Sequence, residues 1–180
     1  MKTVINLYGG PCAGKSTLAA ELFAALKRSQ FNVELVSEYA KSLVYENRND
    51  ILMNDQLYIA AKQWRKISSV FKNDNADVIV TDSPIKLCKY YFVPERQVID
   101  AYPFFHIIDS LDSAYNTIDV FIERGPFEYK FEGRTQTESE AIAMDDDIRE
   151  LCGENYIEFK AGTPVDSLFD IVYRRLSECI

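Results

Sequence analysis

Gly9-Gly10-Pro11-Cys12-Ala13-Gly14-Lys15-Ser16 decides the fold. The stretch fits G-x-x-x-x-G-K-[ST] without a gap. An apolar, β-branched run over 3–8 leads into it, and an amphipathic run over 15–28 leads out, with Leu18, Leu22, Ala25 and Leu26 on one face. A chance glycine turn would account for the loop but not for both flanks. The chemistry needs these residue types. Gly9 and Gly14 let the backbone curl so that successive N–H groups face phosphate oxygens. A helix starting near Lys15 adds the positive end of its dipole. Lys15 is placed to reach the β- and γ-phosphates, and Ser16 to ligate Mg²⁺ through its hydroxyl. Gly10, Pro11, Ala13 and Thr17 complete the expected nucleotide-binding loop, with Cys12 as a space-filling position.

Outward from the loop, short strand-like runs alternate with longer helical ones. Strands are expected over 3–8, 32–36, 77–81, 117–122 and 156–159, and helices over 15–28, 40–46, 55–71, 138–151 and 164–179. The stretch 83–112 is aromatic and contains Pro84, Pro94 and Pro103, which predicts short helices broken at those prolines. Such alternation predicts an α/β fold, a parallel sheet with helices on both faces. The 180 residues suit one domain over 1–180. The net charge of -8 disfavours general coating of a polyphosphate backbone. No apolar run approaches the roughly 18 residues of a membrane span, and the first residues are too short an apolar stretch for a secretory leader. No membrane partner is therefore expected, and no motif sets an oligomeric state. Cys12, Cys88, Cys152 and Cys179 lack metal-site spacing, which suits free thiols in a reducing cytoplasm.

Phosphoryl transfer needs acids at the carboxyl ends of strands beside the loop. Asp82 directly follows Val78-Ile79-Val80-Thr81 and is the expected Mg²⁺-side acid with Ser16. Glu38 follows the second strand and is placed to act as base toward a substrate hydroxyl. The two could exchange roles, or either could merely cap a helix. Arg124 and Arg134 bracket a loop, 124–137, that suits a short lid closing on the γ-phosphate. Gly162-Thr163-Pro164 after the last strand is a possible nucleobase contact or a plain turn. His106, the only histidine, reads as core-edge, and Trp64 as core. Gln56 and Gln63 could read a base or be exposed. Lys62, Arg65 and Lys66 read as a solvated face. Asp145, Asp146 and Asp147 are consecutive on a helix, so they fan around its axis and form no metal cage.

The phosphate loop with Thr17, Ser37-Glu38-Tyr39-Ala40-Lys41, Thr81-Asp82-Ser83-Pro84 and Gly133-Arg134-Thr135-Gln136-Thr137-Glu138 occur in that order. In this set the chain resembles small phage and bacterial P-loop proteins often classed as AAA-type ATPases, similar to nicotinamide-riboside kinase domains. The resemblance implies a three-layer P-loop NTPase fold, nucleoside-kinase-like, with a five-stranded parallel sheet, ATP and Mg²⁺. It also implies a cytoplasmic setting, the host's if phage-encoded. In similar deoxynucleoside kinases a Glu after the second strand is the base, and Glu38 matches that place. Those kinases carry Arg-Ser after the acid of the third strand, whereas here Ser83-Pro84 follows Asp82. The chain also resembles phage kinases acting on hydroxymethylated pyrimidines in DNA.

Three functions follow from these features. The first is ATP-dependent phosphorylation of a hydroxyl on a small nucleoside- or nucleotide-like molecule. The second is the same chemistry on modified DNA. The third is a slowly hydrolysing nucleotide switch. An aromatic pocket from Tyr39, Tyr90, Tyr91, Phe92 and Tyr102 would favour a nucleoside, and a basic cleft from Lys86, Lys89 and Arg96 would favour DNA. The absence of an Asn-Lys-x-Asp guanine reader favours ATP as donor.

Overall fold

The computed structural model describes residues 2–72, 74, 76–129 and 137–178. Strand β1 (Thr3–Tyr8) lies at the centre of a five-stranded sheet. It pairs in parallel with β3 (Val78–Thr81) on one side and β4 (Asn116–Glu123) on the other. The outer strands are β2 (Val33–Val36) beside β3 and β5 (Ile157–Lys160) beside β4, also parallel, in the order β2-β3-β1-β4-β5. All six residues of β1 are buried, as a central strand covered on both faces requires. At the edge, β5 alternates buried Ile157 and Phe159 with exposed Glu158 and Lys160.

Helices α1 (Lys15–Arg28) and α8 (Val165–Glu178) cover one face, setting Leu22, Leu26, Leu168 and Val172 on Ile5, Leu7 and Val120. On the other face, α4 (Gln56–Phe71) lays Ile67 and Phe71 against Val4, Val36 and Ile79. There too, α7 (Glu138–Glu150) lays Met144 and Ile148 against Tyr8 and Phe121. Burying a Leu, Ile or Phe side chain in such layers stabilises by roughly 1.5–3 kcal/mol each. The three-layer parallel fold and its five strands agree with the sequence patterning.

Helices α2 (Ala40–Tyr45), α3 (Asn49–Asn54), α5 (Leu87–Tyr90) and α6 (Ala101–Asp112) flank α4. Helix α3 is not among the elements expected from the sequence. Pro94 opens a 3₁₀ turn, Pro94–Arg96, but Pro103 does not break α6. It is the third residue of that helix, where its missing N–H has no intrahelical partner to lose.

One polar row interrupts the apolar interior. Asn6 Nδ2 donates to Asp119 Oδ1 at 2.9 Å, across the β1–β4 register. Lys86 Nζ lies 2.8 Å from Asp112 and 3.7 Å from Asp119. Burial raises the Asp119 pKa, against the pull of Asn6 and Lys86. It likewise drives the fully buried Tyr8 hydroxyl well above its ordinary value, with Asp119 adding to the shift.

Candidate active site

Order reverses at β1: the chain passes outward to β2, returns to β3, then crosses to β4. Crevices at such switch points, at the carboxyl ends of strands, hold ligands in open α/β sheets. The loop 9–16 occupies this place. Gly9 and Gly14 adopt positive φ of 145° and 93°, and Cys12 adopts 62°, so the chain curls as a phosphate cradle does. Lys15 Nζ folds back over the loop and donates to the carbonyls of Gly9 at 2.7 Å and Gly10 at 2.9 Å. Burial lowers its pKa, opposed mainly by the negative charges of Glu38 and Asp82. An arriving phosphate would replace those two carbonyls with a partner of full charge.

Ser16 Oγ donates to Asp82 Oδ2 at 2.6 Å, while Asp82 Oδ1 accepts the Glu38 N–H at 3.1 Å. One buried carboxylate at the end of β3 thus joins the first turn of α1 to the segment after β2. Among the described residues, no three acidic, histidine or cysteine side chains form a cage that could hold a metal. A hydroxyl beside a carboxylate fits Mg²⁺, a hard cation that keeps water and phosphate among its ligands.

The Glu38 segment is also fixed from α4. Gln63 Oε1 accepts the Tyr39 N–H at 2.9 Å, and Gln63 Nε2 donates to Thr81 Oγ1 at 3.4 Å. Thr81 Oγ1 in turn donates to the Val36 carbonyl at 2.8 Å and accepts the Ser83 N–H at 3.2 Å. Lys66 Nζ donates to the Ser37 carbonyl at 2.5 Å. Burial lowers the Lys66 pKa, and Asp82 and Glu38 oppose that shift.

A cleft of about 1720 Å³ runs from the loop. Pro11, Cys12, Ala13, Gly14, Lys15, Ser16 and Thr17 line it, as do Glu38 and Ser83. Gly162, Thr163 and Pro164 line it as well, beside the exposed ring of Phe127. Of the expected aromatic pocket, Tyr90 and Tyr91 line the cleft. Phe92 belongs to the core against Phe104, Tyr102 is 77% exposed against His106, and Tyr39 meets Tyr58. His106 is exposed and not at the core edge. The expected basic wall does not assemble. Arg96 lines the cleft, but Lys86 pairs with Asp112 and Lys89 with Asp109.

Arg124 departs from the expected phosphate contact. It is not among the cleft-lining residues, and its donors point at protein. Nε donates to Asp145 Oδ2 at 2.5 Å, Nη1 to the Pro11 carbonyl at 2.6 Å, and Nη2 to the Ala141 carbonyl at 2.5 Å. Asp145 Oδ1 also accepts the Gly10 N–H at 2.8 Å. Arg134, with 130–136 of the expected lid, lies outside the described residues.

A family described as an AAA domain matches residues 4–163. The chain belongs to this family. Among curated proteins no sequence matches it. A crystal structure of NadR protein in complex with NR matches with a TM-score of 0.72 at 15% identity, over 96% of this chain and 51% of that one. The chain therefore spans about half the length of that solved protein. In all, 242 solved chains match, so the likeness speaks for the fold and not for a substrate. Fold and family agree with what the four motifs imply.

Gln63, expected to read a base or be exposed, is buried; Lys66, expected on a solvated face, reaches the Ser37 carbonyl; and Asp145, expected only to form no metal cage, holds Gly10 and Arg124. Gln63 was legible in principle: with Gln56, Ile59, Ile67 and Phe71 it sits on the buried stripe of α4. Asp145 left a fainter trace, a glycine at Gly10 where the motif asks for none. Lys66 left no trace, because its partner is a backbone carbonyl 29 residues away.

Proposed function

We propose that the protein is an ATP- and Mg²⁺-dependent kinase that moves the γ-phosphate to a hydroxyl of a small nucleoside-like acceptor. The observation that carries this reading is the convergence of Lys15, Ser16 and Glu38 on a single cleft, with Asp82 bonded to Ser16 and to the Glu38 N–H behind them. A volume of about 1720 Å³ exceeds the roughly 300–1,000 Å³ of ordinary ligand pockets. It has room for a donor and an acceptor together.

In this reading the phosphates lie in the loop 9–16, with Lys15 turning from the Gly9 and Gly10 carbonyls to the β- and γ-phosphate oxygens. Ser16 and Asp82 hold Mg²⁺, which when bound neutralises charge on the β- and γ-phosphates. Phe127 and Gly162-Thr163-Pro164 form the nucleobase side. Glu38 faces the acceptor, orients its hydroxyl and accepts the proton as the O–P bond forms. The backbone bond from Glu38 to Asp82 fixes the distance between base and metal side, and such positioning supplies much of the rate in phosphoryl transfer. Tyr90 and Tyr91 offer aromatic surface to the acceptor. The pairing of Lys86 and Lys89 away from the cleft supports a small acceptor over DNA.

A γ-³²P transfer screen tests this reading, with ATP and Mg²⁺ and pooled nucleosides, nucleotides, nicotinamide riboside and hydroxymethylated DNA. Label on a small nucleoside-like acceptor is the expected result. Label on DNA alone, or slow phosphate release that no acceptor accelerates, would overturn it.

A further inference from the structure

Gly10 occupies a position where the phosphate-loop motif accepts any residue, yet nothing larger fits. A Cβ there would lie 2.6 Å from Arg124 Nη2, 2.6 Å from Asp145 Oδ1 and 2.7 Å from the Ala141 carbonyl oxygen. The close approach belongs to an ion pair packed on the outside of the loop. Asp145 accepts from the Gly10 N–H and from two nitrogens of Arg124, at 2.8, 2.5 and 3.1 Å. Arg124 extends the contact to the Pro11 carbonyl. Both side chains are largely buried, with 20% and 16% of their surfaces exposed. Residues 10 and 11 are thereby held at one N–H and one carbonyl, between the end of β4 and the middle of α7.

We propose that Arg124 and Asp145 are positioning residues for nucleotide binding: a clamp that holds the phosphate loop in its binding shape from behind, with no contact between the guanidinium and phosphate. The inference rests on the reading of the loop as a phosphate cradle. The four donor contacts of Arg124, to Asp145, Pro11 and Ala141, use four of its five N–H groups. A bidentate phosphate contact would require breaking a buried, hydrogen-bonded ion pair, which is costly when either partner is left alone. Gly10 is the sequence record of the clamp. The loop binds phosphate through backbone N–H groups, so its affinity depends on the curl being set before the ligand arrives.

The test is equilibrium binding of a fluorescent ATP analogue with Mg²⁺, which needs no acceptor. Asp145→Asn keeps an acceptor for the Gly10 N–H but removes the charge facing Arg124, and should weaken binding about tenfold. Arg124→Lys keeps the charge but loses the fork, and should weaken binding at least as much. Where an acceptor is known, the KM for ATP should rise with kcat nearly unchanged. Ile148→Val, a core truncation on the same helix, is the control: it lowers stability and leaves nucleotide affinity intact. Should Asp145→Asn fail to fold, Arg124→Lys decides alone. Asp145→Asn binding as tightly as wild type, or Arg124→Lys keeping full affinity, would overturn the clamp. So would an unchanged affinity in Arg124→Lys coupled to a collapsed kcat, which would put the guanidinium on the phosphate. A wild-type protein that binds no nucleotide would instead sink the cradle reading itself.

Discussion

Replacing Gln63 by Met should loosen the segment that carries Glu38, by an amount the hydrogen bonds allow one to work out. Met keeps the length and unbranched shape of Gln but has neither amide oxygen nor amide nitrogen. Gln63 is 1% exposed, so water cannot readily take over its bonds. Two are lost: the 2.9 Å bond from the Tyr39 N–H and the 3.4 Å bond to Thr81 Oγ1. The second is long and weak, and Thr81 Oγ1 keeps its donation to Val36 and its acceptance from Ser83. The cost is therefore that of one orphaned backbone N–H, about 1–3 kcal/mol, reduced somewhat by the easier burial of Met. A net loss of about 1.5 kcal/mol corresponds to a Tm lower by roughly 3–6 °C for a domain of this size. Urea unfolding followed by Trp64, the single tryptophan, should show a lower midpoint with unchanged slope. Hydrogen exchange should show the Tyr39 amide losing protection. A stability change below about 0.3 kcal/mol, or a Tyr39 amide as protected as in wild type, would refute the reasoning.

Three further outcomes follow from the structure. Lys15→Ala should abolish phosphate transfer, while Glu38→Gln should lower kcat by about 10²–10⁴-fold with the KM for ATP unchanged; near-normal turnover of Glu38→Gln in a transfer assay would move the base to Asp82. Asp119 has a folded pKa raised by burial, so its favourable contribution is complete below the unfolded value near 3.8 and is lost as pH rises through the folded value. Asp119→Asn should consequently gain stability relative to wild type with rising pH in denaturation series, and a difference that falls as pH rises would contradict the burial account. Cys88 and Cys152 have thiols pushed up to about 12 by burial, whereas Cys12 lines the cleft. In a Cys179→Ser background a thiol reagent at pH 8 should label Cys12 in the folded protein, with Mg²⁺-nucleotide slowing it, and label Cys88 and Cys152 only on unfolding. Rapid labelling of either buried thiol in the native state would show that the packing around it is wrong.

Much of the fold and part of the site lay in local pattern. The octapeptide 9–16 defines a strand, a tight loop and a helix at once, because phosphate binding needs all three together. The burial of β1, the stripe of α1 and the capping box of Thr137 and Glu140 on α7 are likewise consequences of nearby residues. Glu38 and Asp82 could be picked out because parallel sheets bring strand ends to one edge. Tertiary structure alone tied the Glu38 backbone to Asp82. It also turned Arg124 inward to Asp145 and Pro11, aimed Gln63 at the Tyr39 N–H, and drew Lys86 and Lys89 away from the cleft. The physical reason is common to all four. A strand or helix follows from the period of its own side chains, but a polar group's partner is settled by where the backbone of a distant segment leaves a donor or acceptor unmet. Gly10 and Asp145 are 135 residues apart, and no local period could have joined them.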